Sequence, residues 1–240
     1  MSTTRICLWS SPRNISTAMM YSFAQRQDTI AFDEPLYAHY LRVTGVVHPG
    51  QEEILATQQN DGNKVVNNLL LGNFKKPVAF FKQMTHHLVS LDENFLSKMK
   101  NILFIRDPKQ IISSYAQVRP DVNMQDIGIA KQWELYNQLT ENNLHCVVLD
   151  SNEILKSPEK VLRDLCSAID IRFDKAMLHW PAGPKKEDGC WAKYWYDNVH
   201  KSTGFERQST SSRALPEYLE PLYNESKKYY EQLFEQSIKA

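Results

Sequence analysis

The chain has 240 residues, of which 28 are basic and 28 acidic, so its formal net charge is zero. It is 42% hydrophobic and 23% charged, a composition typical of folded globular proteins that excludes a largely disordered chain. The balanced charge also disfavours a general binder of nucleic acid or membrane surfaces, because such proteins need an excess of Lys and Arg.

Short apolar segments alternate with helical patterns along the chain, which is typical of strands joined by helices in a parallel sheet. Strands are predicted at residues 5–10, 78–82, 101–105 and 146–149. Helices are predicted at residues 16–24, 35–42, 51–59, from 107 onward, at 127–142, 157–169 and near 219–234. Residues 180–212 are predicted to form a long ordered loop. We therefore expect one α/β domain over residues 1–240, with a central parallel sheet flanked by helices.

Two polar elements follow predicted strands. The first is a loop that contains Ser11, Pro12, Arg13, Asn14, Ser16 and Thr17 and leads into a helix. A strand–loop–helix directs free backbone N–H groups and the positive end of the helix dipole to one point, as phosphate sites do. Arg13 adds a forked cation suited to phosphate or sulfate oxygens. Alternatively, Ser16 only caps the helix and Arg13 is a surface charge.

The second element begins at Arg106, which ends a predicted strand. Asp107 and Pro108 then supply a helix cap and a first-turn proline, and Ser114 lies eight residues after Arg106. Alternatively, Arg106 and Asp107 form a surface pair and Ser114 faces solvent. Either element alone is weak evidence for a ligand site.

Together the two elements resemble those of the sulfotransferases that use 3′-phosphoadenylyl sulfate (PAPS) as donor. In that family a Pro-Lys/Arg-x-x-Thr/Ser-Thr loop binds the 5′-phosphate, and residues 12–17 match it position by position. An Arg after a strand, with a Ser eight residues later, binds the 3′-phosphate. Ile15 stands where the family usually has glycine, and Ala18 where many members have a Trp near the adenine. The resemblance is closest to small bacterial-type members.

The resemblance implies a P-loop NTPase-like sulfotransferase fold and PAPS as donor cosubstrate. The residues that it assigns to donor binding are Ser11, Arg13, Asn14, Ser16, Thr17, Arg106 and Ser114. Arg13 is also expected to stabilise charge on the leaving phosphate. No metal is expected, because the chain has no HExxH motif and no paired cysteines.

Sulfuryl transfer to a hydroxyl also needs a base near the acceptor. Glu34 resembles the base in the Glu-Pro segment of some bacterial members, although its carboxylate would also stabilise a helix start. His86 resembles the His of the Lys-x-His segment of the cytosolic animal enzymes. Lys82 and His87 are the expected substrate contacts. Since neighbouring strand residues face opposite sides, at most one of His86 and His87 should act as a base.

The expected function is therefore transfer of a sulfuryl group from PAPS to a hydroxyl of a small molecule by a cytoplasmic enzyme, without nucleic-acid or membrane partners. An acid limb near pH 6.5 in the rate profile would indicate His86 as base, and a lower one Glu34. A non-catalytic nucleotide- or anion-binding protein on the same fold is one alternative. A phosphometabolite kinase is another, but the chain lacks the usual phosphate loop.

Overall fold

A computed structural model of the protein describes residues 3–117, 121–206 and 214–240. The strands are β1 (Thr4–Ser10), β2 (Thr29–Asp33), β3 (Val78–Met84), β4 (Lys100–Ile105), β5 (Cys146–Asp150) and β6 (Ser237–Ile238). They form one parallel sheet in the order β2-β3-β1-β4-β5-β6. The predicted α/β architecture with a parallel sheet is confirmed. β2 and the short β6 were not among the predicted strands.

Helices connect the strands and cover both faces of the sheet. They are α1 (Ser16–Ala24), α2 (Tyr37–Thr44), α3 (Gln51–Thr57), α4 (Gly62–Val65), α5 (Pro108–Tyr115), α6 (Met124–Ile127), α7 (Ile129–Glu141), α8 (Ser151–Lys156), α9 (Pro158–Ala168), α10 (Ala192–Trp195) and α11 (Glu220–Glu235). A π-helical turn, Val66–Leu70, continues α4. No helix within the described ranges is long and apolar enough to cross a membrane.

The sheet lies between two apolar layers, because alternate residues of a strand point to opposite faces. In β1, Cys7 and Trp9 pack into the layer that includes residues of α5, α7 and α11, whereas Ile6 and Leu8 pack into the layer with α1 and α9. All four residues are fully buried. A parallel sheet buried on both faces places its free strand ends, rather than its faces, in reach of ligands.

Several helix boundaries differ from the predicted ones. Ile15 rather than Ser16 is the N-cap of α1, and Ser16 lies inside the first turn without a capping hydrogen bond. The helix predicted over residues 127–142 is divided by Gly128, whose φ of +75° ends α6 and begins α7. That left-handed conformation costs glycine little, since it has no Cβ. The Asp107 cap and Pro108 start of α5 are confirmed.

The late segment is more structured than a loop. Within the described residues it contains α10 and a 3-10 turn, Val199–Lys201. Residues 207–212 of the predicted loop lie outside the described ranges. Trp191 and Tyr196 are buried against α2, so this segment contributes to the core.

Candidate active site

The residues predicted to bind the donor converge at the carboxyl ends of β1 and β4, which are neighbours in the sheet with Ser10 opposite Phe104. Arg13 Nε donates to Ser114 Oγ at 3.0 Å across 101 positions of sequence. Arg106 Nη1 donates to the Arg13 carbonyl at 2.5 Å across 93 positions. The fold therefore joins both predicted elements into one cationic group.

Side-chain amides brace this edge of the sheet. Asn14 Nδ2 donates to the Phe104 carbonyl at 2.9 Å, and Asn14 Oδ1 accepts from the Ile15 N–H at 2.8 Å. From α7, Gln132 Nε2 donates to the carbonyls of Trp9 (3.1 Å) and Phe104 (3.0 Å). Gln132 was not predicted as a site residue, because a helical pattern does not indicate that a buried amide will hydrogen-bond to the ends of two strands.

The loop before α1 adopts its conformation without the family's usual glycine. Ile15 has a φ of −89°, which any residue adopts, so the substitution introduces no backbone strain. Ser16 and Thr17 are buried in the first helical turn, and the buried Ser11 hydroxyl has no hydrogen-bond partner among the described residues. Arg13 is exposed and has a φ of +56°. Such strain at a polar loop is typical of ligand sites.

A second, buried group lies at the ends of β2 and β3, where Asp33 is opposite Lys82. Lys82 Nζ donates to Asp33 Oδ1 (2.9 Å), Glu34 Oε1 (2.5 Å) and the Tyr196 hydroxyl (2.7 Å). A lysine ammonium has three N–H bonds, and all three are used here. Lys82 therefore holds the carboxylates in this structure, and its contact with substrate stays a prediction.

Glu34 is the strained member of this group. Its φ is +40°, and its backbone N–H donates to the Lys82 carbonyl at 2.7 Å. Its second carboxylate oxygen, Oε2, lies 3.9 Å from His87 Nε2, too far for a hydrogen bond. Burial raises the pKa of Glu34, the Lys82 charge opposes that rise and the Asp33 charge adds to it. Glu34 thus combines a fixed oxygen with one that can accept a proton.

The two histidines occupy a different geometry from the one expected. They lie in a 3-10 turn, Thr85–His87, rather than in a strand, so strand alternation does not separate them. Their rings meet edge-on at 4.6 Å, and both contact Tyr40, at 5.0 Å for His86 and 4.9 Å for His87. The expectation that they face opposite sides is therefore wrong.

Burial also changes what a pH profile would mean. It lowers the pKa of His86 to about 4 and that of His87 well below its ordinary value. Because the pKa of Glu34 is raised, the expected order of His86 above Glu34 no longer holds. A limb near pH 6.5 would not identify His86, so substitutions are needed to separate the two candidates.

Asp33 and Tyr196 are two further residues of the site that were not predicted from the sequence. The Tyr196 hydroxyl donates to Asp33 Oδ2 at 2.7 Å, and the Gly189 N–H donates to the same oxygen at 3.1 Å. Trp191 Nε1 lies 3.3 Å from the Tyr196 hydroxyl. The adjacency of Asp33 to Glu34 was the available signal, whereas no local pattern links Tyr196 to a residue 163 positions away.

The described residues contain no candidate metal site. No group of three or more His, Cys, Asp and Glu side chains there is arranged to hold a metal ion.

Comparisons with known proteins found a family model and two curated relatives. A family model described as a sulfotransferase domain matches residues 4–221. The chain is 38% identical over 224 residues to each of two Arabidopsis thaliana proteins, branched-chain-amino-acid aminotransferase-like proteins 1 and 2. Those matches cover 90% of this chain and 40% of each relative, so the chain spans about two-fifths of the length of these curated relatives.

Solved structures share the fold. The sulfotransferase domain from the curacin biosynthetic pathway has a TM-score of 0.58 at 16% identity, covering 97% of this chain and 98% of that one. A sulfotransferase from Alicyclobacillus acidocaldarius has a TM-score of 0.57 at 12% identity, covering 99% and 98%. At such identities the likeness establishes the architecture, which is the predicted one.

Proposed function

The chain belongs to the sulfotransferase family, and from that premise we propose that it transfers a sulfuryl group from PAPS to a hydroxyl of a small molecule. The observation that carries the proposal is the convergence of Arg13, Arg106 and Ser114 at one edge of the sheet, with a buried carboxylate beyond the neighbouring strand. Sulfuryl transfer requires cations that stabilise the leaving oxygen and a base that takes the acceptor proton.

Donor binding would use both elements of the cationic group. The N-terminal turn of α1, with Ser16 and Thr17, offers N–H and O–H donors to the 5′ side of the nucleotide. Arg106 and Ser114 would bind the 3′-phosphate. Ser114 accepts from Arg13 in the free protein, so its hydroxyl hydrogen can still be donated to a phosphate oxygen.

In the chemical step the acceptor oxygen forms a bond to sulfur while the bond from sulfur to the 5′-phosphate oxygen breaks. Negative charge develops on that leaving oxygen, and Arg13 stabilises it by hydrogen bonding and charge, since a guanidinium does not give up its proton. Adenosine 3′,5′-bisphosphate then leaves. The acceptor proton moves to Glu34, whose raised pKa makes it a stronger base than His86, whose pKa is lowered.

Calorimetry with adenosine 3′,5′-bisphosphate and adenosine 5′-phosphate tests donor recognition. We expect the bisphosphate to bind much more tightly, because only it carries the group that Arg106 and Ser114 would hold. Equal affinities, or no binding of either nucleotide, would contradict the proposal. Mass spectrometry of bisphosphate release from PAPS with a panel of alcohols then tests transfer; binding without turnover of any alcohol would indicate the non-catalytic alternative.

A further inference from the structure

Gln110 lies in the first turn of α5, and its side chain turns back towards Arg106. Asp107 is the N-cap of this helix, so Gln110 occupies the third helical position, N3. A glutamine at N3 commonly folds back to the backbone N–H of the N-cap residue. Here the Gln110 amide oxygen instead accepts from Arg106 Nε at 2.9 Å. The side chain that could have closed the helix end is therefore used to hold an arginine.

The direction of the Gln110 amide follows from its two neighbours. An arginine side chain only donates hydrogen bonds, so the amide oxygen must face Arg106. The amide nitrogen points the other way and donates to Asn152 Oδ1 at 3.2 Å. Asn152 lies in the first turn of α8, where its backbone N–H donates to the cap residue Asp150 at 2.8 Å. A row of hydrogen bonds thus connects Arg106 to the carboxyl end of β5.

A second bond fixes the plane of the Arg106 guanidinium. Nη1 donates to the Arg13 carbonyl in the loop before α1 at 2.5 Å, while Nε is bonded to Gln110. Bonds from two nitrogens of one planar group restrict its rotation. Arg106 is only half-buried, so its orientation depends on hydrogen bonds more than on close packing. An arginine that is already ordered loses less side-chain entropy when a ligand binds.

We propose that Gln110 is a positioning residue, which orients Arg106 towards the 3′-phosphate of the nucleotide and is itself held by Asn152. The inference rests on the proposed function, in which Arg106 binds that phosphate. The neutral amide suits this task, because it accepts from the guanidinium without cancelling its charge. A carboxylate at the same position would form an ion pair with Arg106 and repel a phosphate. Gln110 thus orders Arg106 and preserves its positive charge.

Calorimetry with adenosine 3′,5′-bisphosphate and adenosine 5′-phosphate tests this role. Gln110→Ala should weaken binding of the bisphosphate roughly two- to tenfold, the effect of ordering one long side chain, and should leave the affinity for the 5′-phosphate unchanged. Gln110→Glu keeps the acceptor for Arg106, so its thermal unfolding temperature should not fall. It should nevertheless weaken bisphosphate binding more than Gln110→Ala does. A role confined to helix stability would give the reverse order of the two variants.

A double-mutant cycle separates positioning from direct contact. In an Arg106→Ala background, Gln110→Ala should cause no further loss of bisphosphate affinity, because the side chain that it orients is gone. Asn152→Ala should weaken bisphosphate binding less than Gln110→Ala and should add little to it in the double variant. Gln232→Ala and Gln232→Glu, at an exposed glutamine of α11, are the matched controls and should change neither affinity.

Equal bisphosphate affinities in the wild type and a folded Gln110→Ala protein would overturn the inference while leaving the proposed function in place. An undiminished loss in the Arg106→Ala background would also overturn it, by placing Gln110 on the phosphate itself. If Gln110→Ala does not fold, unchanged or tighter bisphosphate binding by Gln110→Glu would overturn the inference in its place. A wild-type protein that binds neither nucleotide would refute the proposed function, and the inference with it.

Discussion

The cationic group at the ends of β1 and β4 and the carboxylate group at the ends of β2 and β3 are built in opposite ways. Arg13 is exposed; its side chain donates to the Ser114 hydroxyl, and its backbone carbonyl accepts from the Arg106 guanidinium. Lys82 is fully buried, and each of its N–H bonds already has an acceptor. The Arg13 charge therefore faces solvent, whereas the Lys82 charge is paired within its own group.

Because of this difference, we expect substitutions in the cationic group to affect ligand affinity and substitutions in the carboxylate group to affect folding stability. An exposed arginine can be removed with little effect on folding, since surface substitutions usually change stability by less than about 0.5 kcal/mol. A buried cation between two carboxylates cannot, because its loss leaves like charges in a medium of low polarity. Both groups nevertheless include a non-glycine residue with positive φ, Arg13 and Glu34, so each side has local backbone strain where chemistry is proposed.

The largest effect is expected from Lys82→Met. Methionine has a similar volume but leaves Asp33 and Glu34 unpaired, so the free energy of unfolding should fall by about 3 to 5 kcal/mol. Urea denaturation measures it. Lys131→Met is the control, because Lys131 forms an exposed pair with Glu134 at 3.2 Å and should cost less than about 1 kcal/mol. Equal losses in the two variants would mean that the buried group does not stabilise the fold.

Arg13→Ala comes next and should act on the reaction rather than on stability. Losing one pre-aligned donor to the leaving phosphate should lower kcat by on the order of 100-fold or more. Steady-state rates with an accepted alcohol measure this, and thermal denaturation should show little change. Full turnover in this variant would show that Arg13 does not take part in the chemical step.

Arg106→Ala should have the smallest of these effects and should appear mainly in donor affinity. A charged hydrogen bond to the 3′-phosphate contributes about 1.5 to 3 kcal/mol, so the bisphosphate should bind roughly ten- to 100-fold more weakly. Affinity for adenosine 5′-phosphate should hardly change. Lys109→Ala, an exposed cation three positions away, is the control and should alter neither affinity. A comparable loss for both nucleotides would place Arg106 away from the 3′ side.

Sequence patterns located the cationic group better than the carboxylate group, and the reason is physical. Arg13 and Arg106 each follow a strong apolar strand and precede a helix, so local periodicity places both at the same edge of a parallel sheet. β2 has only five residues, and its burial alternates between buried and partly buried positions, which is a weaker signal. Asp33 was accordingly not recognised as a strand end beside Glu34.

Long-range contacts account for the other differences. Tyr196 and Gln132 acquire their roles from partners 163 and 123 positions away, at Asp33 and Trp9, which no local window includes. The predicted orientation of His86 and His87 was wrong for a local reason, because the chain enters a 3-10 helix directly after Met84. The pH criterion that separated His86 from Glu34 depended on exposure, which periodicity alone did not supply.

The amide of Gln132 has a consequence for protein design. One NH₂ group donates to the penultimate residues of two adjacent strands, so it acts as a spacer that sets how far apart the loops after β1 and β4 can stand. Anyone grafting the two arginine loops onto another parallel sheet would need to transfer this spacer as well, together with the Gly128 joint that brings α7 within reach. A graft with the loops alone would reproduce the sequence motifs while leaving their separation to the host scaffold.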